Sequence, residues 1–219
     1  TRSGGEPLEI NRLANDGALV IFYQAGTQEG NISVSGTTVS YNGGHLARWS
    51  QATDGNRIPG LVKGTVMTNL DQMAVWHHEA QSATYYEQGD ELPEGVSVGD
   101  EKTSAFDAYN EDNEQLNCMA VSSVEGDANV AGVFVNYDDD DTDYTADMNI
   151  AMTGDMVIRI ASGTTVARGD LLMSAGDGTA KPQGDDIVRS KTIAKVTSIT
   201  VSHTYDDGSY LVPCVLMAC

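Results

Sequence analysis

The chain has 219 residues, 40% of them hydrophobic, with 23 Gly against 5 Pro, which suits one good-sized folded domain plus an extension and is unlike a disordered tail. Only twelve Lys and Arg face thirty-two Asp and Glu, and the net charge of -20 argues against a nucleic-acid groove, because phosphate binding needs a cationic surface. No apolar run approaches the roughly 18 residues that cross a bilayer as a helix.

Residues Thr1 to Glu6 have neither the charged start nor the apolar stretch of a signal peptide. The absence of an initiating Met predicts that a larger N-terminal body precedes this piece. Leu8, Ile10 and Leu13 stand among polar neighbours, a pattern that fits a turn of an extended stalk. From Asn15 to Tyr41 short strands alternate with glycines at Gly17, Gly26, Gly30 and Gly36, and the segment carries too few apolar side chains to enclose a core alone. Several copies wrapped around one axis would bury Leu19, Ile21, Ile32, Val34 and Val39 between chains, so the spacing predicts an oligomeric β-stalk over residues 1–44. Asn42-Gly43, followed by Gly44, is the strongest turn signal and marks the boundary with a globular head, residues 45–219. Trp49 sits where it would plug that join.

Within the head, Thr68 to Met73 offers caps for a short helix from about Asn69 to His77. Residues 80–117 are acidic and loop-like, which predicts an exposed insertion docked through Tyr85, Tyr86, Phe106 and Tyr109. Strand signals then run to the end: Cys118 to Val124, Asn129 to Tyr137, Asn149 to Ala151, Met156 to Ala161, Asp170 to Ser174, Ile193 to Ser198, Thr200 to Tyr205 and Tyr210 to Met217. Asp177-Gly178 and Asp207-Gly208 supply hairpin turns. Many short strands with Gly-rich turns predict a mainly β head, a barrel or sandwich, with one or two short helices.

Three places invite chemistry. Asn before Gly can cyclise on its own backbone, so Asn42-Gly43-Gly44-His45 is the first place to look for self-cleavage, with His45 as proton shuttle and Ser40 or Ser50 as an acyl-shift nucleophile. The plain alternative is a turn with a structural His. Asp138, Asp139, Asp140, Asp141 and Asp143 crowd a density of carboxylates that a divalent cation such as calcium bridges, although the EF-hand spacing is absent and a solvated turn explains the same run. His77-His78-Glu79 lacks the i, i+4 spacing of a zinc helix, and Cys118, Cys214 and Cys219 show no C-x-x-C pattern, so neither reads as a metal site. Cys214 reads as a small apolar residue of the closing strand, and the terminal Cys219 is placed to cross-link neighbouring subunits in air. Trp49, Trp76, Tyr85, Tyr86 and Tyr109 are residues of the kind that stack on sugar rings or fill a core.

Two blocks carry a family resemblance. Asp16-Gly17, an apolar run, Gly26-Thr27, then Gly30-Asn31-Ile32-Ser33-Val34-Ser35-Gly36 and Tyr41-Asn42 resembles the stalk leading into the C-terminal intramolecular chaperone domains of bacteriophage tail fibres, tail spikes and neck appendages. Arg168 to Leu172, Gly176 to Lys181 and Ile193 to Val196 resemble the chaperone domain itself. The resemblance implies a homotrimer with an intertwined β-helical stalk, folded in the bacterial host cytoplasm and carried on the virion, its partner the upstream fibre body. It further implies one of three tasks: trimerisation and folding of the stalk, retention as a tip that binds host surface polysaccharide, or single-turnover self-cleavage that releases the head. The usual Ser-Asp pair after Tyr-Asn is missing here, where the chain reads Tyr41-Asn42-Gly43-Gly44-His45.

Overall fold

The computed structural model describes residues 8–24, 26–42, 45–138 and 146–218. The fold is mainly β, and among the described residues there is no helix. β1 (Gly17–Gln24), β2 (Thr27–Ser35) and β3 (Thr38–Asn42) form an antiparallel meander that is a sheet of its own. Gly36 turns β2 into β3 at φ +56°, a conformation that costs glycine little. The Asp16 carboxylate accepts from the Gly36 amide at 3.0 Å and from the Ser35 hydroxyl at 3.2 Å, tying that turn back to the start of β1.

The other strands are β4 (His45–Ser50), β5 (Val66–His78), β6 (Thr84–Tyr85), β7 (Glu101–Thr103), β8 (Tyr109–Val121), β9 (Val130–Tyr137) and β10 (Met148–Ile160). They continue as β11 (Leu171–Ser174), β12 (Ala180–Pro182), β13 (Ala194–Val196), β14 (His203–Thr204) and β15 (Tyr210–Met217). β10, β15, β13, β11 and β12 close into a five-stranded barrel. Its seam is the parallel contact Ile160↔Ala180. The C-terminal half of β10 runs antiparallel to β15, from Thr153↔Met217 to Ile160↔Tyr210. Ile158 and Ile160 on β10, Leu172 on β11, Ile193 and Val212 point inward and are wholly buried, the result of period-2 alternation in a closed sheet. The N-terminal half of β10 leaves the barrel and is flanked by β4 and by β9, which carries the sheet on through β5 to β8. A second cluster of Met67, Met119, Ala131, Phe134, Met148 and Ile150 fills that extension.

Three expectations change. Asn69 to His77 is not helical but lies within the single strand β5, paired to β8 from Met67↔Val121 to His78↔Tyr109. The side chains expected to cap a helix serve the sheet instead: the Thr68 hydroxyl and the Asn69 amide donate to the Asn129 carbonyl at 3.3 and 3.1 Å, and the β5–β8 ladder shifts register on either side of Met73. Asn149 to Ala151 and Met156 to Ala161 are not two strands, since β10 runs through Gly154 at φ +97°. The insertion is shorter than residues 80–117, because Tyr109 onward is β8, and only the segment carrying β6 and β7 stands off the main sheet. The turns at Asp177-Gly178 and Asp207-Gly208 are present, joining β11 to β12 and β14 to β15, with φ of +79° and +82° at the glycines.

The last of these turns is also an electrostatic clasp. Asp207 accepts from the Ser209 amide at 2.9 Å and pairs with the Arg159 guanidinium of β10, which itself donates to the Ser209 hydroxyl at 2.7 Å. The Ser209 hydrogen bonds, and then Arg159, hold the Asp207 carboxyl below the usual carboxylate range. A carboxyl depressed by folding contributes stability above its unfolded pKa and loses it as pH falls through the folded one. Asp207→Asn is therefore expected to flatten the acid limb of a plot of Tm against pH below about pH 4, while lowering Tm at neutral pH.

Candidate functional site

The register of the meander sorts its side chains into two faces, since directly paired residues of antiparallel strands point the same way. Val20↔Ile32↔Tyr41, Phe22↔Gly30 and Val34↔Val39 stand on one face. Ile21↔Asn31 and Ser33↔Ser40 stand on the other. One face is thus apolar and aromatic, the other mostly hydroxyl and amide. Among the described residues of the meander no side chain is buried, and Phe22, Val39 and Tyr41 are 54%, 53% and 80% exposed. An amphipathic sheet with one open apolar face is an incomplete layer, which in a stable protein is covered by something else.

That face holds Ile32, Val34 and Val39, three of the five residues expected in a shared interior. Ile21 lies across from Asn31 on the polar side, and Leu19 falls at a register shift between Ala18 and Val20. Val20, Phe22 and Tyr41 complete the apolar face and were missed. The signal for them was the alternation Val20, Phe22, hidden because Leu19 adds one residue to the apolar run and blurs its phase.

The residues singled out for self-cleavage come next along the chain. Asn42 ends β3 and His45 begins β4, while Gly43 and Gly44 lie outside the described residues. Ser50 is fully buried at the end of β4, opposite Met148, and its hydroxyl donates to the Asn117 carbonyl at 3.1 Å. Of the acid run, Asp138 follows β9 and its amide donates to the Asp147 carbonyl at 2.8 Å, whereas Asp139, Asp140, Asp141 and Asp143 lie outside the described residues. Among the described residues no three His, Cys, Asp or Glu side chains converge as a metal site. His77 and His78 point to opposite faces of β5, bonding Asn110 at 2.7 Å and Glu111 at 3.1 Å across the ladder. Asp170 of the Arg168-Gly169-Asp170 tripeptide accepts from the Ala167 amide at 2.7 Å and so shapes the entry to β11.

Trp49 lies on β4 within the head. Its ring stacks on Trp76 of β5 with centroids 4.8 Å apart and planes 6° from parallel. Beside it, the Arg48 guanidinium donates to the side-chain oxygens of Asn69 at 3.0 Å and Asn117 at 2.7 Å, which locks β4 onto β5 and β8. Farther along the ribbon, Tyr109 stacks on His78 and meets Phe106 edge-on.

Cys118 and Cys214 are free thiols and both are buried. Burial, with the nearby Asp155 charge adding to it, pushes the Cys214 thiol up to about 12. Burial also raises Cys118, whose thiol lies 3.4 Å from the Met73 carbonyl. The thiolate is the reactive form, so iodoacetamide at neutral pH is expected to spare both residues in the native protein and to label both after denaturation, as read by peptide mass. Native labelling of Cys214 would contradict the closed barrel.

No protein-family model, curated protein or solved structure matches the chain.

Proposed function

We propose that this chain is the C-terminal trimerisation and folding end of a bacteriophage tail fibre or spike, in which three copies of β1–β3 share one interior and the barrel heads set their register. The observation that carries the reading is the apolar face of Val20, Phe22, Ile32, Val34, Val39 and Tyr41, which nothing described in its own chain covers, next to a head that buries its own core. The family resemblance of the stalk and barrel segments points the same way.

The action is mechanical. A barrel whose ring needs β15 to flank β10 closes only after the whole head has been made. Folded heads that associate bring three ribbons together at high local concentration and in one register, which replaces a slow encounter of three unfolded strands. Non-local β pairing is otherwise slow and exposes edges to wrong partners. The test is the molar mass in solution beside the intact mass of the chain. Three full-length copies support the reading, three copies shortened between residues 42 and 50 add scission to it, and a single compact copy at micromolar concentration overturns it.

A further inference from the structure

Past the pair His78↔Tyr109 the β5–β8 ladder runs on as a ribbon, through the bridge Gln81↔Phe106 to Thr84↔Thr103 and Tyr85↔Glu101. β6 and β7 form a two-stranded sheet, and β8 is the last strand of the main one. Residues 79–112 hold ten Asp and Glu against Lys102 alone, so the ribbon concentrates a large part of the net charge of -20. Two strands with water on both sides are marginal by themselves. The exposed rings of Tyr85, Phe106 and Tyr109 are surface that a partner can cover.

Register fixes which groups share a face. Trp76↔Glu111 and His78↔Tyr109 are direct pairs at alternate strand positions, so all four side chains stand on one side of the ribbon. The His78 ring stacks on Tyr109 with centroids 4.4 Å apart and bonds the Glu111 carboxylate at 3.1 Å. Trp49 backs Trp76, and the Arg48 hydrogen bonds hold β4 in place, so the rings are set before any partner arrives. Trp76 still stays 38% exposed, and with Glu111 and Glu114 it lines a cleft of about 360 Å³.

The chain uses the same combination of ring and carboxylate for its own cations. The Lys102 ammonium lies 5.5 Å from the centre of the Tyr86 ring and pairs with Asp90 at 3.1 Å. The Arg159 guanidinium lies 5.2 Å from the centre of the Tyr205 ring and pairs with Asp207. Around Glu111 the rings and the carboxylate are in place, but between Lys63 and Arg159 the chain has no Lys or Arg other than Lys102 to supply the positive head.

We propose that this face of the ribbon docks an extended cationic protein segment, one Arg or Lys head lying against Glu111 between the Trp76 ring and the His78–Tyr109 stack. Ring and carboxylate act together on such a head: it stacks on the aromatic surface while its N–H groups donate to the carboxylate. An extended segment suits the site because alternate residues of a strand recur about every 7 Å, which is also the spacing from Trp76 to His78 along β5. β8 ends the sheet, so its outer edge can accept a further strand. The competing occupants fit less well. Polyanions are repelled by a chain of net charge -20. A second copy meeting this face with its own brings the same carboxylates, like charge on like. A purely apolar partner would strip water from Glu111 and return no hydrogen bond. The face lies within one chain and stands independently of the assembly reading.

The experiment titrates the intact protein with a fluorescent peptide of alternating Arg and Thr, with its Glu-Thr counterpart and with spermine, reading anisotropy at low and high salt and molar mass in parallel. Saturable binding of the Arg-Thr peptide is expected, weakened by salt, with none of the Glu-Thr peptide. Glu111→Gln and Tyr109→Leu should each weaken it about fivefold or more, the size of a charge-assisted or cation–aromatic contact, at unchanged molar mass. Gln keeps the shape of Glu and an acceptor for His78, so the Glu111 variant keeps the test alive if the Tyr109 variant misfolds. Asp206→Asn removes one charge from an exposed turn of the barrel and should change the affinity less than about twofold. Absence of saturable binding, or equal losses for the Glu111 and Asp206 variants, would overturn the site, because attraction to overall charge would then be the whole effect. Spermine binding as tightly as the peptide would put a small polyamine in place of the segment and overturn it too, as would a fall in molar mass on Glu111→Gln, which would put a second copy on the face. None of these results touches the mass of the unaltered protein, which decides the assembly.

Discussion

On the proposed assembly, Phe22→Ser combined with Tyr41→Ser is expected to give single copies whose barrel is still folded. Both rings stand on the apolar face of the meander, and neither belongs to the core clusters of the head. Burying an aromatic side chain removes about 150–250 Å² from water, worth roughly 2–3 kcal/mol each at the exposures seen here. Over three copies the pair thus contributes about 12–18 kcal/mol before ordering costs, comparable with the whole binding free energy of a tight complex. Ser33→Thr with Ser40→Thr is the matched control. Those residues face each other on the polar side, and β-branched hydroxyls suit a strand, so the assembly should be unchanged. Light scattering gives the copy number and circular dichroism the state of the barrel. Assembly that survives the double serine change, or is lost equally in the control, would remove the apolar face from the explanation.

The contrast between head and meander shows where physical reading of a sequence succeeds. The barrel was legible because closure forces strict alternation: Ile158 and Ile160 point in while Arg159 between them points out to Asp207, and Asp-Gly dipeptides stand where two hairpins turn. β5 was misread because Thr68 and Asn69 are residue types that cap helices but here donate across to the Asn129 carbonyl from a strand. The start of β8 was not legible either. Its acidic run, Glu111 to Glu114, reads as a solvated loop, and only the pairing with β5 reveals that these residues are a strand with four positions set against one. Bulges have no reliable local signature, so they surface only when the partner strand is known. For the meander the strands and turns were visible, yet which face Ile21 takes depended on one extra residue at Leu19.

Gly132→Ala should be among the most destabilising small changes in the chain. Gly132 lies in β9 opposite Met67, and at φ +138° it holds a backbone conformation that residues with a Cβ rarely adopt. A Cβ built there would sit 2.1 Å from the Ala151 carbonyl oxygen of β10, a backbone atom that no rotamer change can move aside. β9 and β10 would have to part by about an ångström, next to Val133 and Ala151 in the main core, where packing tolerates little displacement. Strain and lost packing together predict a cost of roughly 3–5 kcal/mol, or a fall in Tm of about 10 °C or more for a chain of this size. Gly184→Ala separates the two causes. It also has a positive φ, +91°, but nothing lies within 4 Å of its Cβ position, so it incurs backbone strain alone, about 1 kcal/mol. Thermal melts at one protein concentration compare them directly, because assembly makes Tm concentration-dependent. Equal losses for the two variants would mean that β9 and β10 are not as close as Ala151 and Gly132 place them, and the junction between the barrel and the outer sheet would have to be redrawn.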